Sequence, residues 1–112
     1  MRRYIIVVGC GRLGALLAGH LSHSGDSVVV IDRDERAFEK LPPTFSGFRV
    51  QGDAADVEVL RRAKIDRADG FVAATNADNV NLMVAQVAQV VFGVERVVAR
   101  VFDPGAERLY GQ

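Results

Sequence analysis

Apolar and polar positions along this chain fall into short blocks of two alternating kinds. Residues 4–8 (Tyr-Ile-Ile-Val-Val) are continuously apolar, the pattern of a strand covered on both faces. Residues 12–24 follow with Leu13, Leu16, Leu17 and Leu21 at helical spacing, and Gly25 marks the stop. A second β run occupies 27–31. A short helix over 34–41 ends at Pro42-Pro43, and 48–51 reads as a third strand. Asp56 is placed to cap a helix over 56–63 with Val57, Leu60 and Ala63 on one face. Residues 70–74 form a fourth strand and Thr75-Asn76-Ala77-Asp78 a turn. Asp78 is expected to cap a longer helix reaching Phe92, closed by Gly93. A fifth strand spans 96–101, Asp103-Pro104-Gly105 turns, and 106–110 begins a helix.

Strands alternating with helices predict an α/β fold: one parallel sheet with helices on both faces, in three layers α/β/α. Right-handed crossovers give the strand order 3-2-1-4-5 of a Rossmann-like, doubly wound sheet. The turns after Val8, Ile31, Gln51, Ala74 and Val101 then share the carboxyl edge of that sheet, where such folds bind ligands.

The first of those turns reads Gly9-Cys10-Gly11-Arg12-Leu13-Gly14. Alone, a Gly-x-Gly-x-x-Gly is a weak signal. Between a strand and a helix, with an acid (Asp32) ending the next strand about twenty residues on, it is a dinucleotide-binding fingerprint. Gly9 permits a sharp turn, Gly11 lets backbone approach a diphosphate, and Gly14 lets helix and strand pack closely. The free N–H groups at the helix start would hold phosphate charge, and Asp32 the adenosine ribose. Gly52, Asp53 and Ala54 follow the third strand, where the chain passes the adenine in such folds. Asp53 there either accepts from the exocyclic amine or starts a turn. Thr75 and Asn76 lie across the crevice and either contact phosphate and ribose or serve ordinary turn chemistry. Arg12 is either a phosphate ligand or a solvated residue at a helix start.

Composition narrows the classes. The chain has 112 residues, enough for one domain, with 14 basic and 14 acidic side chains, so a nucleic-acid partner has no electrostatic support. No apolar stretch approaches the length of a membrane span, and no signal pattern precedes the first strand, so a soluble cytoplasmic protein is expected. The single cysteine, Cys10, has no partner for a disulfide, and no ligand cluster for a metal is apparent. His20 and His23 belong to the first helix, and the two lysines, Lys40 and Lys64, sit in no catalytic grouping. No catalytic residues are expected, and a binding module is favoured over an enzyme. The competing class is the cofactor-binding half of an NAD-dependent oxidoreductase without its catalytic domain. A dimerisation domain with a vestigial site is a third.

Further motifs follow in order: Val30-Ile31-Asp32, Gly52-Asp53, residues 74–81 (Ala-Thr-Asn-Ala-Asp-Asn-Val-Asn), and residues 99–104 (Ala-Arg-Val-Phe-Asp-Pro). Together with the glycine motif this series resembles the nucleotide-binding (RCK, KTN or TrkA-N) domain of TrkA/KtrA-type potassium-transport regulators, over essentially the whole chain. The resemblance implies a cytoplasmic, homo-oligomeric subunit that binds NAD(H), ATP, ADP or AMP and gates a membrane potassium channel or transporter. It also implies phosphate contacts from Gly9, Gly11, Arg12 and Gly14, ribose contacts from Asp32 and Arg33, and adenine contacts from Asp53. Thr75 and Asn76 would meet the ligand's far side, and Arg100 the phosphates or a neighbouring subunit. Family members usually continue into a sixth strand and often a carboxy-terminal domain, so residues 1–112 are expected to be either an excised nucleotide-binding domain, cut before its final strand, or a minimal stand-alone version.

Overall fold

The computed structural model describes residues 2–102. The expected turn at 103–105 and the helix start at 106–110 lie outside the described residues. The sheet has five parallel strands: β1 (Tyr4–Val8), β2 (Ser27–Asp32), β3 (Phe48–Gln51), β4 (Gly70–Ala73) and β5 (Arg96–Ala99). Their order is β3-β2-β1-β4-β5, as the alternating pattern predicts. In register, Val8 stands beside Ile31 on one side and Ala73 on the other, so β1 is central and its end is flanked by two loops.

The two-residue period of β1 divides the core. Ile5 and Val7 face α1 (Arg12–His23) and pack with Val28, Val30, Phe38 and Phe45. Ile6 and Val8 face α2 (Val57–Arg62) and α3 (Asp78–Gln86), packing with Leu60, Phe71 and Val84. Ile6, Leu60 and Phe71 are among the fully buried side chains, each contributing roughly 1.5–3 kcal/mol of transfer free energy.

Several elements depart from the sequence pattern. The leucine stripe of α1 is only partly its inner face: Leu21 packs against the core, but Leu13 is 43 % and Leu16 72 % exposed, while Gly14, Ala15 and Ala18 are buried. The helix lies so near β1 that a Cβ on Gly14 would overlap the Gly9 carbonyl, and only small side chains fit beneath it. The segment after β2 is a 3-10 helix, Glu35–Lys40, begun by Asp34, whose carboxylate accepts from Arg36 N. Asp56 caps α2 as expected, but Val57 is exposed and Val59 takes the inward place. Asp78 is the first residue of α3 rather than its cap, and the helix widens into a π turn over Val87–Val91. Gly93 follows with φ +66°. Among the described residues no helix is long and apolar enough to cross a membrane.

Candidate functional site

A crevice of about 460 Å³ opens at the carboxyl ends of β1 to β4, within the range of small-molecule sites (roughly 300–1,000 Å³). Its floor is the glycine turn. Gly9 has φ +97°, and a Cβ there would come within 2.9 Å of the Ala74 carbonyl and Thr75 N, so both the turn and its fit against the β4 loop need glycine. Gly9 N donates to the Ile31 carbonyl at 2.7 Å. Gly11 is different: its φ of −78° suits any residue, and a Cβ there would meet no protein atom within 4 Å. Its side faces open space. Gly11 is also the cap position of α1 and supplies no side chain to the first-turn amides, and that turn contains no acid. Such a helix start presents N–H groups and a partial positive charge to an anion.

Asp32 ends β2 opposite this turn. Its Oδ2 accepts from Cys10 N at 2.7 Å and its Oδ1 from Asp34 N at 2.8 Å. The carboxylate thereby locks the glycine turn to the loop after β2, and one of the expected free amides is already satisfied. Each oxygen keeps a further lone pair for a hydroxyl donor. The Cys10 thiol is wholly buried beneath the turn; desolvation, and then the Asp32 charge, push its pKa up. Asp34 is held below the usual carboxylate range by its hydrogen bonds from Arg36.

On the third loop, Asp53 Oδ1 accepts from Ala55 N at 2.9 Å and its carbonyl from Asp56 N, so the turn-starting role is real and the second carboxylate oxygen remains for other donors. Gly52 has a packing reason for being glycine, since a Cβ would press on Val59 at 2.7 Å. Across the crevice, Thr75 is held by Asn81, which is fully buried on α3. Asn81 Oδ1 accepts from Thr75 N at 2.9 Å and from Thr75 Oγ1 at 2.6 Å, and its Nδ2 donates to the carbonyls of Thr75 and Arg100. Asn76 stays exposed at the rim.

Gly9, Cys10, Gly11, Asp32, Arg33, Gly52, Asp53, Ala54, Thr75 and Asn76 all line the crevice, as the sequence motifs anticipate. Gly14 lies under the turn and Leu13 points outward, so neither lines it. Arg12 borders a separate groove across α1. The Arg100 guanidinium stacks over the Phe102 ring, 3.9 Å from its centroid, away from the crevice wall. Sequence reading missed Lys40 and Asp34, both of which line the wall. Asn81 carries a sequence signal of its own, a polar residue on the inner face of an apolar helix. Among the described residues no group of three or more His, Cys, Asp or Glu is placed to hold a metal ion.

The sheet order, the glycine turn on an uncapped helix and the acid across from it define a Rossmann-type nucleotide-binding fold. The family model for the TrkA-N domain matches residues 5–112, and the chain belongs to that family. Over 107 residues it is 44 % identical to the Trk system potassium uptake protein TrkA of Streptomyces coelicolor, covering 96 % of this chain and 48 % of that protein. The chain thus spans about half the length of the curated relatives it matches. Among solved structures, the GsuK channel bound to NAD aligns with TM-score 0.79 at 31 % identity, over 97 % of this chain and 19 % of that one. The Kef carboxy-terminal domain of Shewanella denitrificans in its AMP-bound form aligns with TM-score 0.78 at 25 % identity, over 96 % and 64 % of the two chains.

Proposed function

We propose that this chain is the nucleotide-binding regulatory domain of a potassium-transport system, holding NAD(H) or an adenine nucleotide in the crevice at the carboxyl edge of the sheet. The observation that carries the reading is Gly11. No protein neighbour requires glycine there, whereas a phosphate drawn onto the helix start would. The N–H groups at the start of α1 hold the phosphates, Asp32 and Arg33 the ribose, and Asp53 with Ala54 the adenine edge. Thr75 and Asn76 close the far side, and Lys40 adds a cation at the wall. Arg12 and Arg100 act at the rim or on a neighbouring subunit. Support comes from the related structures, one bound to NAD and one to AMP, and from the similarity to a potassium uptake protein.

Among the described residues no group in the crevice is arranged as a hydride-transfer acid or base, and both histidines lie on the exposed side of α1. The domain is therefore read as a switch rather than an enzyme. It works at the cytoplasmic face of the membrane, as a homo-oligomer attached to a channel or transporter. Nucleotides act by binding one arrangement of that assembly more tightly than another. A thermal-shift panel of AMP, ADP, ATP, NAD and NADH on the purified chain tests the nucleotide part. Saturable stabilisation, reduced by Asp32→Ala, is the expected result. No shift with any of them, or turnover of NADH, overturns it.

A further inference from the structure

Beside α1, between the helix and the segment that follows the 3-10 helix, lies a second concavity of about 790 Å³. One bank is the helix itself, where Arg12, Leu16, His20 and His23 follow one another along a side. At 1.5 Å per residue those positions span about 16 Å. The other bank is the segment from Lys40 through Pro42 to Thr44. The banks meet at Gly19, where a Cβ would come within 2.9 Å of Pro42 Cγ.

Its chemistry is segregated. Among the described residues, Arg12, His20, His23 and Lys40 are the ionisable ones lining it, and no carboxylate does. Elsewhere three arginines are held in ion pairs, Arg3 with Asp26, Arg36 with Asp34 and Arg61 with Glu58. None of the four groove residues makes an ion pair within the described residues, and Asp34, which feels the charge of Lys40, faces the crevice instead. With histidine counted as neutral the chain has zero formal net charge, and Arg12 and Lys40 give this lining a local positive excess beside two imidazoles. Between its basic ends sits an apolar middle, Leu16 (72 % exposed) facing Pro42.

We propose that this groove is a docking site for an acidic segment of a partner protein, with carboxylates at both ends of a central apolar side chain. Its length matches about five extended residues or three helical turns. A free mononucleotide phosphate would satisfy one basic end and leave the apolar middle bare. A bilayer surface would make little use of a concavity whose apolar part lies between two banks. Lys40 lines both the groove and the crevice, so the variants that test the groove are confined to Leu16, His20 and His23, which line the groove and not the crevice.

The test is titration of the ¹⁵N-labelled chain with a fluorescein-labelled peptide, acetyl-Glu-Asp-Leu-Leu-Glu-Asp, followed by amide shifts and anisotropy. A charge-reversed peptide, inorganic tripolyphosphate and phosphatidylglycerol vesicles run in parallel. Saturable, salt-weakened binding of the acidic peptide is expected, with shifts confined to α1 and residues 40–44. The double variant His20→Glu/His23→Glu should weaken that binding by about tenfold or more, by placing like charges against the peptide. Leu16→Asp should do the same by a separate route, and both variants should keep the parent melting temperature and nucleotide response. Unchanged peptide affinity in the two folded variants, shifts mapping elsewhere, or occupancy of these residues by tripolyphosphate or vesicles alone would each overturn it.

Discussion

Asn81 and Thr75 hydrogen-bond to each other three times, through the Thr75 amide, hydroxyl and carbonyl. The same asparagine reaches the Arg100 carbonyl at 2.9 Å, so one buried side chain ties the loop after β4 to the end of β5. The far wall of the crevice is held from below by a residue that does not line it.

Asn81→Ala should therefore cost far more than its change in volume suggests. Thr75 N and the Arg100 carbonyl would lose partners in a dry setting, at roughly 1–3 kcal/mol for each group left unsatisfied. A loss of about 2–4 kcal/mol in urea denaturation is expected. Asn76→Ala, at the exposed rim, should stay within about 0.5 kcal/mol of the parent. Equal small losses for both would show that the bond network does not hold the loop.

The three glycines of the first turn make separable predictions. Gly14→Ala forces a methyl into the Gly9 carbonyl and should cost about 3 kcal/mol or more, because backbone has to move. Gly11→Ala meets no protein atom at an ordinary φ, so stability should hold or rise by roughly 0.4–1 kcal/mol. Its nucleotide affinity should nonetheless fall at least about tenfold, near 1.4 kcal/mol. Calorimetry on the folded Gly11→Ala protein checks this, and undiminished affinity would remove the phosphate role from the turn.

How much of this was legible in the sequence differs by element. The central strands were readable because β1 and β2 are buried on both faces and hence continuously apolar. The crevice was readable because glycine turn and acid are sequence-local signals on adjacent strands. The inner face of α1 was not. Helical spacing selects the leucines, but the distance between helix and sheet decides what fits, and near the glycine turn it buries Gly14, Ala15 and Ala18, with Leu21 reaching the core further along. That same outward turn of the helix carries Arg12 away from the crevice and into the groove with Lys40. Asp78 was misread because its carboxylate serves a remote partner, accepting from Phe102 N at 2.9 Å, rather than the first turn of its own helix. At Gly52 the requirement for glycine comes from packing, since Val59 fills the place a Cβ would take.

Asp32 predicts a preference among cofactors. A 2′-phosphate on the adenosine ribose would face its carboxylate, so NADP should bind at least about tenfold more weakly than NAD. Asp32→Asn should narrow that gap. It should also destabilise the chain by about 1 kcal/mol or more, because an amide nitrogen would then face Cys10 N or Asp34 N, both donors. Equal NAD and NADP affinities in the parent protein would exclude the ribose assignment.

The Cys10 thiol gives a prediction in pH. Burial under the glycine turn, reinforced by the Asp32 charge, raises its pKa in the folded state. Below the ordinary thiol value of about 8.5, folded and unfolded chains both carry the neutral group, and pH acts on neither through it. As pH rises past that value the unfolded chain gives up the proton while the folded chain keeps it. The unfolded state then binds fewer protons, and stability falls. Between about pH 7.5 and 9.5 the parent should therefore lose stability relative to Cys10→Ala, whose own curve lacks this contribution. For the same reason an aromatic disulfide reagent should label the native protein slowly, at a rate that follows opening of the turn and that bound nucleotide reduces. Rapid stoichiometric labelling of the folded chain, or parallel stability curves for the two proteins, would mean that the thiol is not sealed beneath the phosphate-facing loop.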